Sequence, residues 1–278
     1  MAAARHRPWS LLARFYDELC NEWGIPAMNH HARDVLLASH WDGLRTACDV
    51  GCGSGETAVD LAFHGLAVEA IDFAPAHVRA TRAKARAAGV RVRARVGDMR
   101  SFRLAQPVDL LLCEFAALNN LERRADLAPT LRAFARAVRP GGLLLFDVIT
   151  PLAFQTQCAP LTWFERKSFK LVQRCTVDDD NRRARLDFDW FVAAGRGRFR
   201  HFRETHRNVA WSAAELRAAL TAAGFTTLRV VDGVDARPPM DGMTRGTDLY
   251  FLCRRAGSTA RTVRGRTAAN GRGSRSAR

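Results

Sequence analysis

The chain has 278 residues, 47% of them apolar, and 43 Lys and Arg against 28 Asp and Glu give a net charge of +15. That length permits one large α/β domain with additions, or two small domains, around a sizeable core. No apolar run reaches the roughly 18 residues of a membrane span, and the basic start at Met1 to Trp9 lacks the apolar stretch of a secretory signal, so a cytoplasmic protein with no membrane partner is expected.

Ser10 to Cys20 sets Leu11, Leu12, Phe15 and Leu19 at helical spacing, and Met28 to Trp41 reads as a second helix. Strand-like runs and helical patterns then alternate. Ala47 to Val50 is a strand, Glu56 to about His64 a helix, and Ala67 to Ile71 a strand ending on Asp72. Pro75 to Ala88 is a helix with Pro in its first turn and Gly89 past its end, where each is best tolerated. Val90 to Val96 is a strand before Gly97-Asp98, and Val108 to Cys113 is a buried strand. Arg124 to Val138 is helical, Arg139-Pro140-Gly141-Gly142 a turn, and Leu143 to Val148 another buried strand. This alternation predicts a parallel sheet with helices on both faces and all strand carboxyl ends on one edge. Asp49, Asp72, Asp98 and Glu114 fall at those ends, where an open α/β sheet binds its ligand.

From Pro151 to Trp211 the rhythm changes to period two. Leu186, Phe188, Trp190 and Val192 share one face, with Asp187 and Asp189 on the other, and Asp178 to Asn181 and Gly195 to Gly197 read as turns. Ser212 and Glu215 have capping-box spacing ahead of a helix to Ala223. Phe225 to Val231 and Leu249 to Cys253 supply an antiparallel ending. The expected fold is therefore α/β: a Rossmann-like, seven-stranded, mostly parallel sheet with an inserted antiparallel β-layer. Its units are an N-terminal helical cap over 1–45, a core over 46–150 and 211–255, an inserted β lid over 151–210, and a disordered tail over 256–278 with six arginines and no acid.

Seven cysteines, at 20, 48, 52, 113, 158, 175 and 253, form no Cys-x-x-Cys pair, which predicts reduced, buried thiols and no metal site. The chemistry centres on Asp49-Val50-Gly51-Cys52-Gly53-Ser54-Gly55-Glu56. Three alternate glycines let the backbone turn tightly beneath a ligand. A phosphate loop needs Gly-Lys-Ser/Thr, and this chain has Gly55-Glu56-Thr57; a dinucleotide fingerprint needs its third glycine one residue later. Glu56 at the helix start suits the helix dipole but repels a pyrophosphate. A cationic, phosphate-free cofactor meets neither objection.

The chain resembles the class I S-adenosylmethionine-dependent methyltransferases of small-molecule type. The motifs are Asp49 to Gly55, Asp72 closing the second strand, Gly97-Asp98-Met99 closing the third, Val108 to Glu114, and Arg139 to Phe146. The resemblance implies S-adenosylmethionine as cofactor. It implies Gly51, Cys52, Gly53 and Gly55 against the amino-acid tail and ribose, Asp49 either orienting the turn or reaching the ammonium, and Asp72 on the ribose hydroxyls. Phe73 and Met99 would sandwich the adenine, Asp98 would accept from its amine, Glu114 and Phe115 would pass the methionine tail, and Tyr16, in Phe15-Tyr16-Asp17, would fold over the cofactor.

The implied reaction is an in-line displacement onto an N or O atom, with a base where the acceptor must lose a proton. Glu204 and His206, two apart on one strand face, are the expected catalytic pair, with His201 nearby. Asn119 and Asn120 stand where DNA and protein amide methylases carry a Pro-Pro-Tyr type of motif, which favours a small-molecule acceptor. Trp163, Phe164, Trp190 and Phe191 either wall an apolar pocket or pack the β-layer. The other readings are an RNA or other nucleic-acid methyltransferase using the basic tail, which the absence of aromatics there disfavours, and a non-catalytic cofactor binder or dehydrogenase.

Overall fold

The computed structural model describes residues 4–5, 8–22, 25–236 and 244–257. Most of the tail expected to be disordered, 258–278, lies outside the described residues. A short strand β1 (Ala4–Arg5) precedes helices α1 (Leu12–Glu22) and α2 (Ile25–Leu37). Then follow β2 (Thr46–Val50), α3 (Glu56–Phe63), β3 (Ala67–Asp72), α4 (Pro75–Ala87), β4 (Val92–Val96), β5 (Val108–Cys113), α5 (Leu127–Ala137) and β6 (Val138–Ile149). Helix α6 (Pro151–Gln157) leads to β7 (Leu161–Glu165), β8 (Phe169–Val177), β9 (Arg183–Ala193) and β10 (Phe199–Val209). The chain closes with α7 (Ala213–Ala222), β11 (Phe225–Asp232), α8 (Gly233–Ala236) and β12 (Asp248–Arg255).

Seven strands form the main sheet in the order β11-β12-β6-β5-β2-β3-β4. The pairs from β6 through β4 are parallel, while β12 runs antiparallel to β6 and β11 antiparallel to β12. This is the fold class expected. Apolar side chains cover both faces. Leu131 and Phe134 of α5 and Leu216 and Leu220 of α7 pack on one. Leu36 of α2, Leu61 of α3 and Val78 of α4 pack on the other. The Ser212–Glu215 capping box that starts α7 is present in full.

The second sheet has the order β1-β10-β9-β8-β7, antiparallel except for the β1–β10 pair. Its inner face, Phe169, Leu171, Phe188, Trp190 and Val192, shares a core with Leu11 and with Phe15 and Leu19 of α1. Helix α1 and the sheet are therefore one packed unit, because neither buries its apolar face alone.

Three local expectations change. The Arg139-Pro140-Gly141-Gly142 segment is part of β6, which is irregular there: Val138 pairs with Val108, and the register shifts before Leu110 meets Leu143. The 151–157 stretch, expected within the β-layer, is helical. Its Pro151 occupies the first turn, where the missing N–H costs nothing. Of the seven cysteines expected to be reduced, Cys158 and Cys175 form a disulfide between the end of α6 and β8, and the other five are free and buried.

Candidate functional site

The order of the main sheet reverses at β2, with β3 on one side and β5 on the other. The crevice outside the carboxyl ends of such strands is the ligand site of an open α/β sheet. Two adjoining cavities open there. The inner has a volume of about 90 Å³, and the outer cleft, about 920 Å³, is of small-ligand size. Trp9, Gly51, Asp72, Phe73, Met99 and Asn120 border both.

The glycine turn follows β2 directly. Gly51, Gly53 and Gly55 have φ of 75°, 53° and 88°, a left-handed run that side chains with a Cβ rarely adopt. The Tyr16 ring lies over Gly53, only 3.2 Å from where a Cβ would stand, so α1 covers the turn. Gly55 faces away from both cavities. A Cβ there would meet Thr81 at 2.5 Å, so it serves the packing of α3 on α4. Glu56 is neutralised by Lys84, whose Nζ donates to it at 2.7 Å and to Asp17 at 3.2 Å. Its repulsion of a phosphate is thus weaker than the sequence implies.

The strand-end acids have distinct environments. The Asp72 carboxylate accepts the N–H groups of Gly53 at 3.0 Å and Ala74 at 2.8 Å, which fixes its direction beneath the turn. Glu114 Oε2 accepts from Arg33 Nη1 at 2.6 Å and from the Thr57 hydroxyl at 2.8 Å. Asp49 is fully buried. Burial first, and the Glu114 charge second, push its carboxyl up to about 8. Asp49 Oδ2 and Glu114 Oε1 are both buried with no hydrogen-bond partner among the described residues, and both residues line the inner cavity. Two buried, unsatisfied carboxyl oxygens in one cavity lining call for a partner, and a cation would draw the proton from Asp49 and let both accept.

Cys52 and Phe115 also line the inner cavity, and Met99 and the half-exposed Phe73 stand where it meets the outer cleft. Asp98 lies in the outer cleft. The Arg100 guanidinium, 2.6 Å away, holds its carboxyl below the usual range, so its oxygens are already shared.

The catalytic pair divides. Glu204 and His206 share a strand face, 3.8 Å apart. Glu204 lines neither cavity: its oxygens accept the N–H groups of Ser10 at 2.6 Å, Leu11 at 3.3 Å and Leu12 at 3.1 Å, capping α1. Burial raises its pKa, but His206 and these N–H groups lower it by more, so it stays ionised. This corrects its expected role as a base to that of a fastener between α1 and β10. His206 lines the outer cleft, packed edge-on against Trp9 and Phe188, with Nε2 buried, without a hydrogen bond, and facing the Glu204 carboxylate. His201 stacks on Phe191 and bonds Asp189, lining neither cavity. Of the four aromatics, Trp190 and Phe164 pack against α1, Trp163 is exposed, and none lines either cavity.

Several features of the site carry no sequence signal. Arg33, one arginine among many, crosses from α2 to Glu114 and Asp60. His77 lies 3.3 Å from Asp72 without a hydrogen bond on either ring nitrogen, packed against Trp9 and Tyr16. Phe115 and Ala116, after β5, are consecutive non-glycine residues at φ of 59° and 50°, each costing about 1–2 kcal/mol. Among the described residues no group of three or more His, Cys, Asp or Glu is placed to hold a metal ion, and no helix is long and apolar enough to cross a membrane.

Residues 47–142 match the family model of a methyltransferase domain. The chain is 24% identical to a dTDP-3-amino-3,6-dideoxy-alpha-D-glucopyranose N,N-dimethyltransferase of Streptomyces fradiae, over 84% of this chain and 90% of that one. It is 39% identical to a ubiquinone biosynthesis O-methyltransferase of Methylobacterium sp. (strain 4-46), over 44% of this chain and 48% of that one. Among solved structures, an amino pentose methyltransferase from Micromonospora echinaspora, with S-adenosylmethionine bound, superposes with a TM-score of 0.63 at 26% identity, over 82% of this chain and 92% of that one.

Proposed function

Since this chain belongs to the class I methyltransferase superfamily, we propose that it is an S-adenosylmethionine-dependent enzyme that methylates an N or O atom of a small molecule. The observation that carries this is the pair of unsatisfied oxygens, Asp49 Oδ2 and Glu114 Oε1, beside the glycine turn. They fit an ammonium group. Arg33, which could attract a phosphate, is already paired with Glu114 and Asp60.

Gly51, Cys52 and Gly53 would hold the cofactor's amino-acid tail, with Asp49 and Glu114 accepting from its ammonium and Phe115 alongside. Asp72, oriented by two N–H groups, would accept the ribose hydroxyls. Phe73, Met99 and Asp98 would take the adenine at the mouth of the outer cleft, and Tyr16 would close over the turn. When bound, the cofactor supplies a methyl group on a sulfonium, whose leaving thioether is neutral. The protein's work is then alignment and exclusion of water. His206, on the border of the outer cleft, would take the proton of a hydroxyl or ammonium acceptor. The N-terminal helices and the second sheet act together as the cap over this site.

Amino-sugar relatives and a quinone-pathway relative both methylate small molecules by their names, which supports the acceptor class and leaves both N and O in view. Five free, buried cysteines fit a cytoplasmic setting, the Cys158–Cys175 bond being the feature this setting does not require. Calorimetric titration tests the reading: S-adenosylmethionine binds and NAD does not, whereas NAD binding without S-adenosylmethionine binding overturns it.

A further inference from the structure

The turn that carries Glu114 and Phe115 into the inner cavity is held in an unfavourable conformation from outside the cavity. Two consecutive residues with a Cβ, Phe115 and Ala116, sit in the left-handed region. Such a pair persists only where its surroundings over-determine it. One restraint is direct: the Ala116 N–H donates to Asp147 Oδ2 at 2.8 Å. Asp147 is 1% exposed, in the middle of the main sheet on β6, its backbone paired with Tyr250 of β12, so the sheet fixes where its side chain starts. It lines neither cavity.

The consequence of the turn lies on the cavity side. After Ala116 the chain coils through Ala117 to Asn120, and a Cβ on Gly51 would stand 2.8 Å from Ala117 Cβ. The 115–117 turn is thus packed directly on the glycine turn. Asn119, wholly buried, holds the far end: its amide donates to Ile149 O at 2.9 Å and Val209 O at 2.8 Å, and its oxygen accepts the Ile149 N–H at 3.0 Å. A shift at Ala116 would therefore move Phe115 and Ala117 together and pull Glu114 against its bonds to Arg33 and Thr57.

We propose that Asp147 is a positioning residue for the cofactor cavity: by accepting the Ala116 N–H it imposes the left-handed Phe115–Ala116 pair and so sets Glu114, Phe115 and Ala117 against the glycine turn. The proposal rests on the S-adenosylmethionine reading for its functional consequence and on the backbone geometry alone for its structural one. It concerns binding geometry. It assigns Asp147 no contact with substrate and no proton transfer.

The experiment has a ligand-free arm and a binding arm. In the ligand-free protein, Asp147→Ala increases the hydrogen-exchange rate of the Ala116 amide, and Asp147→Asn, which keeps an acceptor oxygen, does not. In the binding arm, Asp147→Ala raises the Kd for S-adenosylmethionine about tenfold, the scale of one charge-assisted hydrogen bond. Asp147→Asn stays near wild type. Ala116→Gly added to Asp147→Ala recovers most of the loss, because glycine takes positive φ without a restraint. Unchanged affinity in a folded Asp147→Ala variant overturns the proposal, and so does failure of Ala116→Gly to rescue, since general loss of stability would not be repaired by a glycine. If wild type does not bind S-adenosylmethionine, the functional reading falls, and unchanged Ala116 exchange in Asp147→Ala would overturn the proposal independently.

Discussion

Arg33 Nη1 lies 2.6 Å from Glu114 Oε2, and both side chains are almost wholly buried. The other arm of the guanidinium reaches Asp60 at 2.8 Å. A helix outside the parallel core thus supplies the counter-ion for the acid at the end of β5, and the N-terminal region is part of the cavity floor. Removing one partner of a buried pair leaves the other charge uncompensated. Arg33→Met is expected to lose about 3–5 kcal/mol of stability in denaturant unfolding. Adding Glu114→Gln should return part of that loss. Strict additivity of the two losses would show that the pair is not coupled.

Asp72→Ala is expected to weaken S-adenosylmethionine binding by about 1–3 kcal/mol, the range for hydrogen bonds to a charged group. Calorimetry measures it. Unchanged affinity would remove Asp72 from the site.

Asp49 gives a pH signature. Its carboxyl is raised by burial, and then by Glu114, to about 8. Between its unfolded value, about 3.9, and about 8 the native state holds a proton that the unfolded state has lost. Stability from this group is full below the lower limit, falls as pH rises, and is flat above the upper one. Wild type should therefore lose stability relative to Asp49→Asn between pH 5 and 8. Parallel profiles for the two proteins would contradict the assignment. The buried thiols of Cys48, Cys52 and Cys113, also raised by burial, act only at higher pH.

Glu204 and His206 should separate in kinetics. Glu204→Ala removes the cap of α1 and is expected to cost about 0.5–2 kcal/mol in thermal unfolding. His206→Ala should lower kcat with little change in cofactor affinity. Equal kcat in the His206 variant and wild type would leave the proton to solvent.

The parallel core was legible because its signals are local: buried apolar strands, helices punctuated by Pro75 and Gly89, and acids at the strand ends. Asp49, Asp72 and Glu114 could be placed together from topology alone, since right-handed crossovers put all carboxyl ends on one edge. Arg33, His77 and Asp147 could not. Each reaches the site by tertiary packing, from a helix or strand whose own pattern reads as ordinary amphipathic or buried sequence. Glu204 was misread for the same reason: period two places it on a strand face, but only the docking of α1 shows that its oxygens are taken by Ser10, Leu11 and Leu12. Gly55 reads as part of the ligand turn, and only the approach of Thr81 gives its packing role.

The most direct test follows a methyl label. The full chain, and the chain lacking 258–278, are incubated with methyl-labelled S-adenosylmethionine and a cell extract separated into small-molecule and RNA fractions. The account predicts label in a small molecule, identified by mass, to the same extent with and without the tail. Label confined to RNA and lost on truncation or at raised salt, or no transfer to either fraction, would contradict it.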